Sequence, residues 1–200
     1  MFFIRHRCNS IKEIQETSNK YGVEVDIRSY GENLILNHEP FIKGVLFEEW
    51  LNYFKHKFLI LNVKEEGLEN SCLGLLKEFN IANYFFLDQS FPMLIKSAKN
   101  KTLETSIRYS KYESLETVLK FKGLVKWIWV DYYEDYPLSE DIILKLKENQ
   151  YKICLVSPEL QGNSDNKIYE AFNSIEKYKK HIDVICTKYI SKWESLFLLN

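Results

Sequence analysis

Strand-like and helix-like segments alternate along the whole sequence, and this alternation limits the possible folds more than any other feature. Eight apolar runs typical of strands, beginning at Phe2, are each followed by a segment with helical periodicity. No tract rich in Pro, Gly and Ser, and no long block of like charges, separates these segments. Such alternation predicts an α/β fold in which helices connect parallel strands. We therefore expect one domain that spans residues 1–200.

Eight strand and helix pairs are the number that closes a parallel barrel. The predicted strands are 2–6, 23–29, 58–63, 84–87, 104–109, 127–131, 151–156 and 183–187, and 34–38 continues the second strand after a turn at 30–33. The predicted helices start after Ser10, which can form a capping box with Glu13, and then cover 47–57, 68–79, 91–98, 115–121, 139–149, 166–180 and 192–199. The sequence thus predicts a single (β/α)8 TIM barrel, with short loops because 200 residues is near the lower limit for this fold.

An open, doubly wound sheet is the alternative architecture. It normally carries a glycine-rich phosphate loop after its first strand. Here that turn reads Arg7, Cys8, Asn9, Ser10, without glycine. The barrel is therefore favoured.

Composition excludes several classes of protein. The 27 basic and 28 acidic residues nearly cancel, so bulk charge favours neither nucleic acid nor an anionic membrane as a partner. The four cysteines are far apart and lack the spacing of zinc sites, which indicates buried thiols. No stretch approaches the ~20 apolar residues of a membrane span. Residues 1–7 are too polar for a signal sequence, so we expect a cytoplasmic protein without a membrane span.

Polar side chains stand at or near the carboxyl ends of the predicted strands, where barrel enzymes place their catalytic groups. They are His6, Arg7, Glu24, Asp26, Arg28, His38, Asn62, Lys64, Asp88, Arg108, Ser110, Asp131, Ser157 and Lys188. Nearly every predicted strand therefore ends in a group capable of chemistry.

Glu24 and Asp26 lie two apart on a predicted strand, so both side chains point to one face. Two neighbouring carboxylates repel unless a cation lies between them, and oxygen-rich sites suit Mg2+, Ca2+ or Mn2+. Taken alone, the pair fits a solvated edge strand with alternating charges equally well. His6 and His38 flank this pair in sequence, and two histidines at strand ends favour proton transfer over a structural role. His56 and His181 lie in charged stretches and are expected at the surface.

Basic and aromatic groups could complete a polar pocket. Lys64 could neutralise a phosphate that Arg7 also binds, or it could pair with Glu65 or Glu66. Arg108 lies at the end of the fifth strand. Trp129 on the sixth could stack on a sugar or polyol, although aromatic residues on strands are more often core.

In this order, the residues resemble the glycerophosphodiester phosphodiesterase family, within the phosphatidylinositol-phospholipase-C-like barrels. The signature is His6-Arg7 after the first strand, Glu24-Val25-Asp26 on the second, His38 after the hairpin and Asn62-Val63-Lys64 on the third, so it covers the first third of the chain. The resemblance implies that His6 and His38 are the acid/base pair, and that Glu24, Asp26 and Asn62 hold a divalent cation. It also implies that Arg7 and Lys64 contact the phosphate of a small phosphodiester substrate.

The sequence departs from the family at several points. Cys8 replaces a glycine, the Pro-Glu-Asn-Thr stretch and the substrate-binding insertion are missing, and Asn62 replaces the third carboxylate ligand. Glu65, Asp88 or Asp131 could supply the missing charge. Three functions stay open: a metal-dependent phosphodiesterase, a phosphate-binding module on the same scaffold, and a phospholyase that releases a cyclic phosphate. A lipid substrate is disfavoured because no exposed apolar loop is evident.

Overall fold

A computed structural model describes residues 1–100 and 104–198, so Leu199 at the end of the predicted terminal helix lies outside the described residues. Within those ranges the strands, numbered β1 to β10, are Phe2–Arg5, Gly22–Tyr30, Asn33–Leu36, Val45–Leu46, Leu59–Val63, Tyr84–Leu87, Ser106–Tyr109, Trp127–Val130, Lys152–Val156 and Val184–Thr187. The helices, α1 to α8, are Ile11–Glu16, Phe47–Leu51, Glu69–Glu78, Phe91–Asn100, Leu115–Lys120, Glu140–Glu148, Lys167–Ile175 and Ile190–Leu198. Two 3-10 helices, Pro158–Gln161 and Glu176–His181, complete the list. Within the described ranges, the predicted strand and helix segments are confirmed in type, and two of the helices end several residues earlier than predicted.

The chain forms two compact units. The first contains residues 5–105, and its strands lie in the order β4, β3, β2, β5, β6. Strands β2, β5 and β6 run parallel, whereas β2, β3 and β4 form an antiparallel extension. The second contains residues 1–4 and the described residues after 105, with parallel pairing of β7, β8, β9 and β10 and with β1 next to β10. Parallel strands joined by helices confirm the predicted α/β class.

In the first unit, packing of the core determines which side chains of β2 and β5 face the helices and which face the other side of the sheet. Strands β2 and β5 direct alternate residues, Val23, Val25, Ile27, Leu59, Leu61 and Val63, into a cluster that also contains Ile14, Phe47, Trp50, Cys72 and Leu76 from the helices. By the period of two, Glu24, Asp26 and Asn62 project from the opposite face of the same strands. The sheet is thus apolar towards its helices and polar on its other face.

Helix α1 begins where the sequence predicts. The Ser10 side chain accepts a hydrogen bond from the Glu13 backbone N–H, and the Glu13 carboxylate accepts one from Ser10 N–H. This reciprocal capping box satisfies two backbone donors that the first helical turn cannot pair internally.

Two predicted helices extend several residues beyond the observed ones. The helix predicted over 47–57 ends at Leu51, and the chain then turns through Asn52 and Tyr53. The helix predicted over 166–180 ends at Ile175 and continues as a 3-10 helix in which Tyr178 has non-helical angles of φ −124° and ψ 17°. In both cases helix-compatible residues continue into a tertiary turn, which overrides their propensity.

The structure corrects the expected surface position of His56, which is only 7% exposed. Its Nε2 lies 3.0 Å from the Thr17 carbonyl oxygen, and its ring packs beside Phe54. Burial lowers the pKa of His56, so the ring is held neutral as part of the core. All four cysteines are free and buried, as predicted. Of the helices described, none is long and apolar enough to cross a membrane.

Candidate functional site

The first unit gathers six of the predicted site residues on β2, at the carboxyl end of β5 and in the loop after β1. Glu24 and Asp26 on β2 are both fully buried, and Asp26 is paired in register with Asn62 on β5. The solvated edge strand considered for this pair is therefore wrong, because β2 lies between β3 and β5. Two carboxylates without solvent need compensating charge or hydrogen bonds, and the surrounding residues supply both.

The loop after β1 is fastened directly to these carboxylates. Arg7 has a left-handed backbone with φ 53°, which turns its N–H towards Glu24 Oε2 at 2.7 Å. Cys8 N–H donates to the Glu24 carbonyl at 2.7 Å. A non-glycine residue in this conformation costs about 1–2 kcal/mol. The strained turn therefore serves to bring a backbone donor onto a buried carboxylate.

Asn9 clamps the second carboxylate. Its Nδ2 donates to Asp26 Oδ2 at 2.8 Å, and its Oδ1 accepts from the Asp26 backbone N–H at 2.9 Å. Asn9 was not among the predicted site residues, because its contact depends on the left-handed turn at Arg7. The paired bonds fix both the strand and the carboxylate, so Asp26 has one defined orientation.

Basic groups surround the carboxylate pair. Lys64 Nζ lies 3.2 Å from Asp26 Oδ1 and 3.6 Å from Asp88 Oδ2. Arg7 Nε lies 3.7 Å from Asp26 Oδ2, and 43% of the Arg7 side chain is exposed. The alternative pairing of Lys64 with Glu65 or Glu66 is not the arrangement observed. Because Lys64 and Arg7 touch the same carboxylate, both cations are held where an anionic ligand could meet them.

His6 lies against Glu24. Its Nε2 is 3.7 Å from Glu24 Oε2, and its side chain is 12% exposed. Burial first, and the neighbouring Asp26 charge second, raise the pKa of Glu24 to about 7. The Arg7 amide, Asn62 and Lys64 oppose this shift without cancelling it. The site therefore holds more negative charge than its protein surroundings neutralise.

His38 stands on the loop after β3, in the same unit. Its Nδ1 lies 2.6 Å from the exposed Glu39 carboxylate, and hydrogen bonding to His38 lowers the pKa of Glu39. Since an ionised carboxylate can only accept, Nδ1 is the donor to Glu39, and Nε2 is the acceptor nitrogen of the neutral ring. Arg28 donates from Nε and Nη2 to the His38 carbonyl at 3.1 and 3.0 Å, which fixes the backbone. Glu39 was not among the predicted site residues.

Two oxygens of the site are buried acceptors that no donor in residues 1–100 or 104–198 reaches with a hydrogen bond: Asp26 Oδ1 and Asn62 Oδ1. The Lys64 ammonium compensates the first by charge alone. Asn62 turns its Nδ2 to Glu24 Oε1 at 2.9 Å, which leaves its Oδ1 unsatisfied. Buried acceptors without a hydrogen bond destabilise the folded protein unless a ligand or ion binds them.

The donor set fits a hard divalent cation. Two carboxylates and an amide oxygen are suitable ligands, and Mg2+ sites commonly use one or two carboxylates with water and phosphate completing the shell. No cage of three His, Cys, Asp or Glu side chains exists in the described parts of the chain. The residues present could therefore hold a cation that keeps open positions, rather than a fully enclosed one.

The three acids considered as substitutes for Asn62 have other partners. Glu65 accepts from Ser29 N–H at 3.1 Å and from Arg28 Nη1 at 3.3 Å. Burial alone would raise the pKa of Glu65, but hydrogen bonds from the Ser29 hydroxyl, from Ser29 N–H and from Arg28 lower it. Asp88, with φ 62°, lies 3.6 Å from Lys64 Nζ, which it shares with Asp26. Asp131 belongs to the second unit.

Arg108 and Trp129 also belong to the second unit, where both bind Asp131. Arg108 Nη1 donates to Asp131 Oδ2, and Trp129 Nε1 donates to Asp131 Oδ1 at 3.1 Å. Gln161 Nε2 donates to the same Oδ1 at 2.6 Å. Trp129 is 4% exposed, so its ring is mainly part of the core, whereas 31% of the Arg108 side chain is exposed.

Comparisons with solved structures identify the same fold in phosphodiesterases. A structure of a putative glycerophosphoryl diester phosphodiesterase from Agrobacterium tumefaciens is 10% identical, with a TM-score of 0.70 over 100% of this chain and 98% of that one. An Oleispira antarctica phosphodiesterase in complex with the product sn-glycerol-3-phosphate is 13% identical, with a TM-score of 0.71 over 98% and 96% of the two chains. A glycerophosphoryl diester phosphodiesterase from Parabacteroides distasonis is also 13% identical, with a TM-score of 0.68 over 99% and 86%.

At the level of sequence, no protein-family model and no curated protein matches the chain. The likeness is therefore one of fold alone, and this fold agrees with the one that the family resemblance implies.

Proposed function

We propose that this chain is a phosphoric diester hydrolase of the glycerophosphodiester phosphodiesterase family, acting on a glycerophosphodiester or a related polyol phosphodiester with a divalent cation. The observation that carries the proposal is the buried Glu24–Asp26 pair, with His6 beside it and with two basic side chains on Asp26. The fold shared with phosphodiesterases supports the same reaction class. The proposal includes the closed eight-stranded barrel and the single domain over residues 1–200.

In the proposed mechanism, Arg7 and Lys64 bind the anionic phosphate. His38, with its Nδ1 proton held by Glu39, accepts at Nε2 the proton of a neighbouring substrate hydroxyl. That hydroxyl oxygen forms a bond to phosphorus while the bond to the leaving alcohol breaks, and His6 gives the leaving oxygen a proton. Water then opens the cyclic phosphate with the two histidines in reversed roles.

Glu24, Asp26 and Asn62 would hold the cation, Mg2+, Ca2+ or Mn2+, which supplies charge stabilisation to the phosphoryl oxygens when bound. Asn9 and the Arg7 amide orient the two carboxylates for this purpose. The protein is proposed to act as a cytoplasmic enzyme on small molecules, with neither a nucleic acid nor a membrane span involved.

The test is turnover of a panel of glycerophosphodiesters in the presence of Mg2+, Ca2+ or Mn2+, followed by phosphorus NMR. We expect His38→Ala to lower kcat about 100-fold to 10,000-fold, the usual value of a general base. Glu39→Gln should lower it about tenfold or more, because the amide no longer fixes the imidazole tautomer. His181→Ala, in the 3-10 helix of the second unit, is the matched control and should leave kcat unchanged. If no glycerophosphodiester of the panel is hydrolysed, or if His38→Ala keeps full activity, the proposal is wrong.

A phosphate-binding module is the second candidate, favoured by one observation: the Lys64 ammonium lies on Asp26 Oδ1, and Asn62 brings no charge. Calorimetry with sn-glycerol-3-phosphate distinguishes the two functions. Binding that needs no cation and is not accompanied by turnover of any diester would favour the module. Accumulation of a cyclic phosphate in the NMR spectrum would instead identify a phospholyase.

A further inference from the structure

The loop from His38 to Gly44, called here the 38–44 loop, exposes two large apolar side chains next to the proposed catalytic site. Phe41 is 99% exposed and Ile42 is 54% exposed. This corrects the sequence-based expectation that no exposed apolar loop exists. Isolated apolar residues are ordinary on protein surfaces, but two adjacent ones, one of them wholly exposed, require a closer look at how they are held.

The loop holds these side chains outward at a conformational cost. Phe41 has φ 62°, a left-handed conformation that costs a non-glycine residue about 1–2 kcal/mol. Asn37 Oδ1 accepts from Glu39 N–H at 2.9 Å and closes the start of the loop. At its other end, a Cβ on Gly44 would lie 2.2 Å from the Leu36 carbonyl oxygen, so the two backbones are in close approach. Backbone strain at a defined loop position is a common mark of function.

The position of the loop points to its ligand. His38, the proposed base, is the first residue of the loop, so Phe41 lies within about 10 Å of it along the chain. Lys43 follows the apolar pair directly. A ligand that contacts both Phe41 and the site around Arg7 and Lys64 must therefore combine an apolar part with an anionic phosphate. This is the charge complementarity of a phosphodiester lipid.

The exposed apolar area also limits the size of the ligand. Two side chains are too few to bury a protein face in a bilayer, because interfacial anchoring needs a broad apolar face or several anchors. They match the surface of one hydrocarbon chain. We infer that Phe41 and Ile42 bind the hydrocarbon chain of a single-chain phosphodiester lipid whose phosphate is bound by Arg7 and Lys64. This inference deepens the proposed function and rests on it for the position of the phosphate.

Calorimetry with hexadecylphosphocholine below its micelle concentration, and with butylphosphocholine, tests the inference without turnover. Neither compound has the neighbouring hydroxyl that the proposed mechanism needs, so binding is measured alone. The full-length protein should bind the long-chain compound about tenfold or more tightly than the short one, as expected for burial of apolar surface. The double variant Phe41→Asn, Ile42→Thr should lose this preference. Asn tolerates the left-handed backbone and Thr keeps the β-branch, so the loop itself is preserved.

Leu144→Ser, at a 42% exposed position on α6 of the second unit, is the matched control and should keep the chain-length preference. Equal binding of both compounds by the unaltered protein, no binding of either, or a preference that survives the double variant would overturn the inference. Turnover of a soluble glycerophosphodiester is measured in parallel. A chain-length preference without turnover contradicts the proposed function alone, whereas turnover without a preference contradicts the lipid inference alone.

Discussion

Arg7 has two roles that depend on different parts of the residue. Its backbone, with φ 53°, aims an N–H at Glu24, while its guanidinium lies 3.7 Å from Asp26 and reaches solvent. Glycine can take over the first role without strain but cannot supply the second. The two roles can therefore be separated by substitution.

We expect Arg7→Gly to keep or slightly raise the free energy of unfolding, and Arg7→Ala to be about 1 kcal/mol less stable than Arg7→Gly. Both variants should lose phosphate affinity equally, because both lack the guanidinium. Urea unfolding gives the stability difference, and calorimetry with sn-glycerol-3-phosphate gives the affinity. Equal stability of the two variants would contradict a backbone role for this position.

The pKa of Glu24 makes stability depend on pH in the cation-free protein. Burial and Asp26 raise this pKa from 4.5 to about 7, so the folded protein retains a proton that the unfolded chain releases. The stability from this group is full below about pH 4.5 and is lost as the pH rises through 7. We expect a loss of about 1–3 kcal/mol between these limits. Urea midpoints across this range should fall in the native chain and stay flat in Glu24→Gln; a rise would contradict the assignment.

Some site residues could be predicted from the sequence and others could not, and the difference has a physical reason. Glu24 and Asp26 share a face because strands repeat every two residues, and this local rule is visible in the sequence. The clamp of Asn9 on Asp26 depends on a left-handed turn at an arginine, which no residue preference favours. Contacts that need an unusual backbone are therefore the ones that sequence patterns miss.

The β2–β3 hairpin and the loop that follows it are set by one close backbone contact. A Cβ at Gly44 would lie 2.2 Å from the Leu36 carbonyl oxygen, which no rotation of a side chain can relieve. We expect Gly44→Ala to lower the free energy of unfolding by about 2–4 kcal/mol through steric strain, and to displace His38.

Gly74→Ala on α3 is the control, because its Cβ would meet nothing within 4 Å. It should stabilise the protein by about 0.5–1 kcal/mol, the usual gain in a helix interior. Urea unfolding compares the two variants, and turnover of a glycerophosphodiester reports on His38. If Gly44→Ala left both the free energy of unfolding and the turnover unchanged, the loop would relax more freely than its geometry indicates.

The sequence predicts where helices occur better than it predicts where they end. The 47–57 segment has helical propensity throughout, yet the helix ends at Leu51. Beyond this point Phe54 packs on Trp50 and on His56, and the His56 ring reaches the Thr17 carbonyl. These tertiary contacts outweigh a propensity of a few tenths of a kcal/mol per residue.

For the whole molecule, the alternation of strands and helices was sufficient to predict the α/β class. The likeness to phosphodiesterase structures at 10–13% identity extends over 98–100% of the chain in the three cases described, so the order of elements is kept although few residues are. The period of apolar residues and the lengths of connections carry that order. Closure of the strands into a barrel depends on long-range pairing, which local periodicity does not encode.

Cation binding should stabilise the molecule as a whole. A ligand bound only by the folded state adds about 2.7 kcal/mol at a concentration 100 times its Kd. For a chain of this size we expect Mg2+, Ca2+ or Mn2+ to raise Tm by about 5–10 °C in calorimetry near pH 8. Asp26→Asn, which removes one ligand charge but not the fold, should lose most of this shift. An equal shift of Tm in the native protein and in Asp26→Asn would show that the cation binds at another site.

Lys64 has two carboxylates within reach, Asp26 at 3.2 Å and Asp88 at 3.6 Å. The ammonium therefore lies between the two carboxylates and can move towards Asp88 by rotation of its own side chain. If the proposed divalent cation binds Asp26, it would displace the ammonium towards Asp88. A phosphodiester that binds next, as the proposed function requires, would then meet an ammonium that is no longer paired with Asp26. This arrangement favours an ordered sequence of ligands, the cation before the substrate, so that each should raise the affinity of the other.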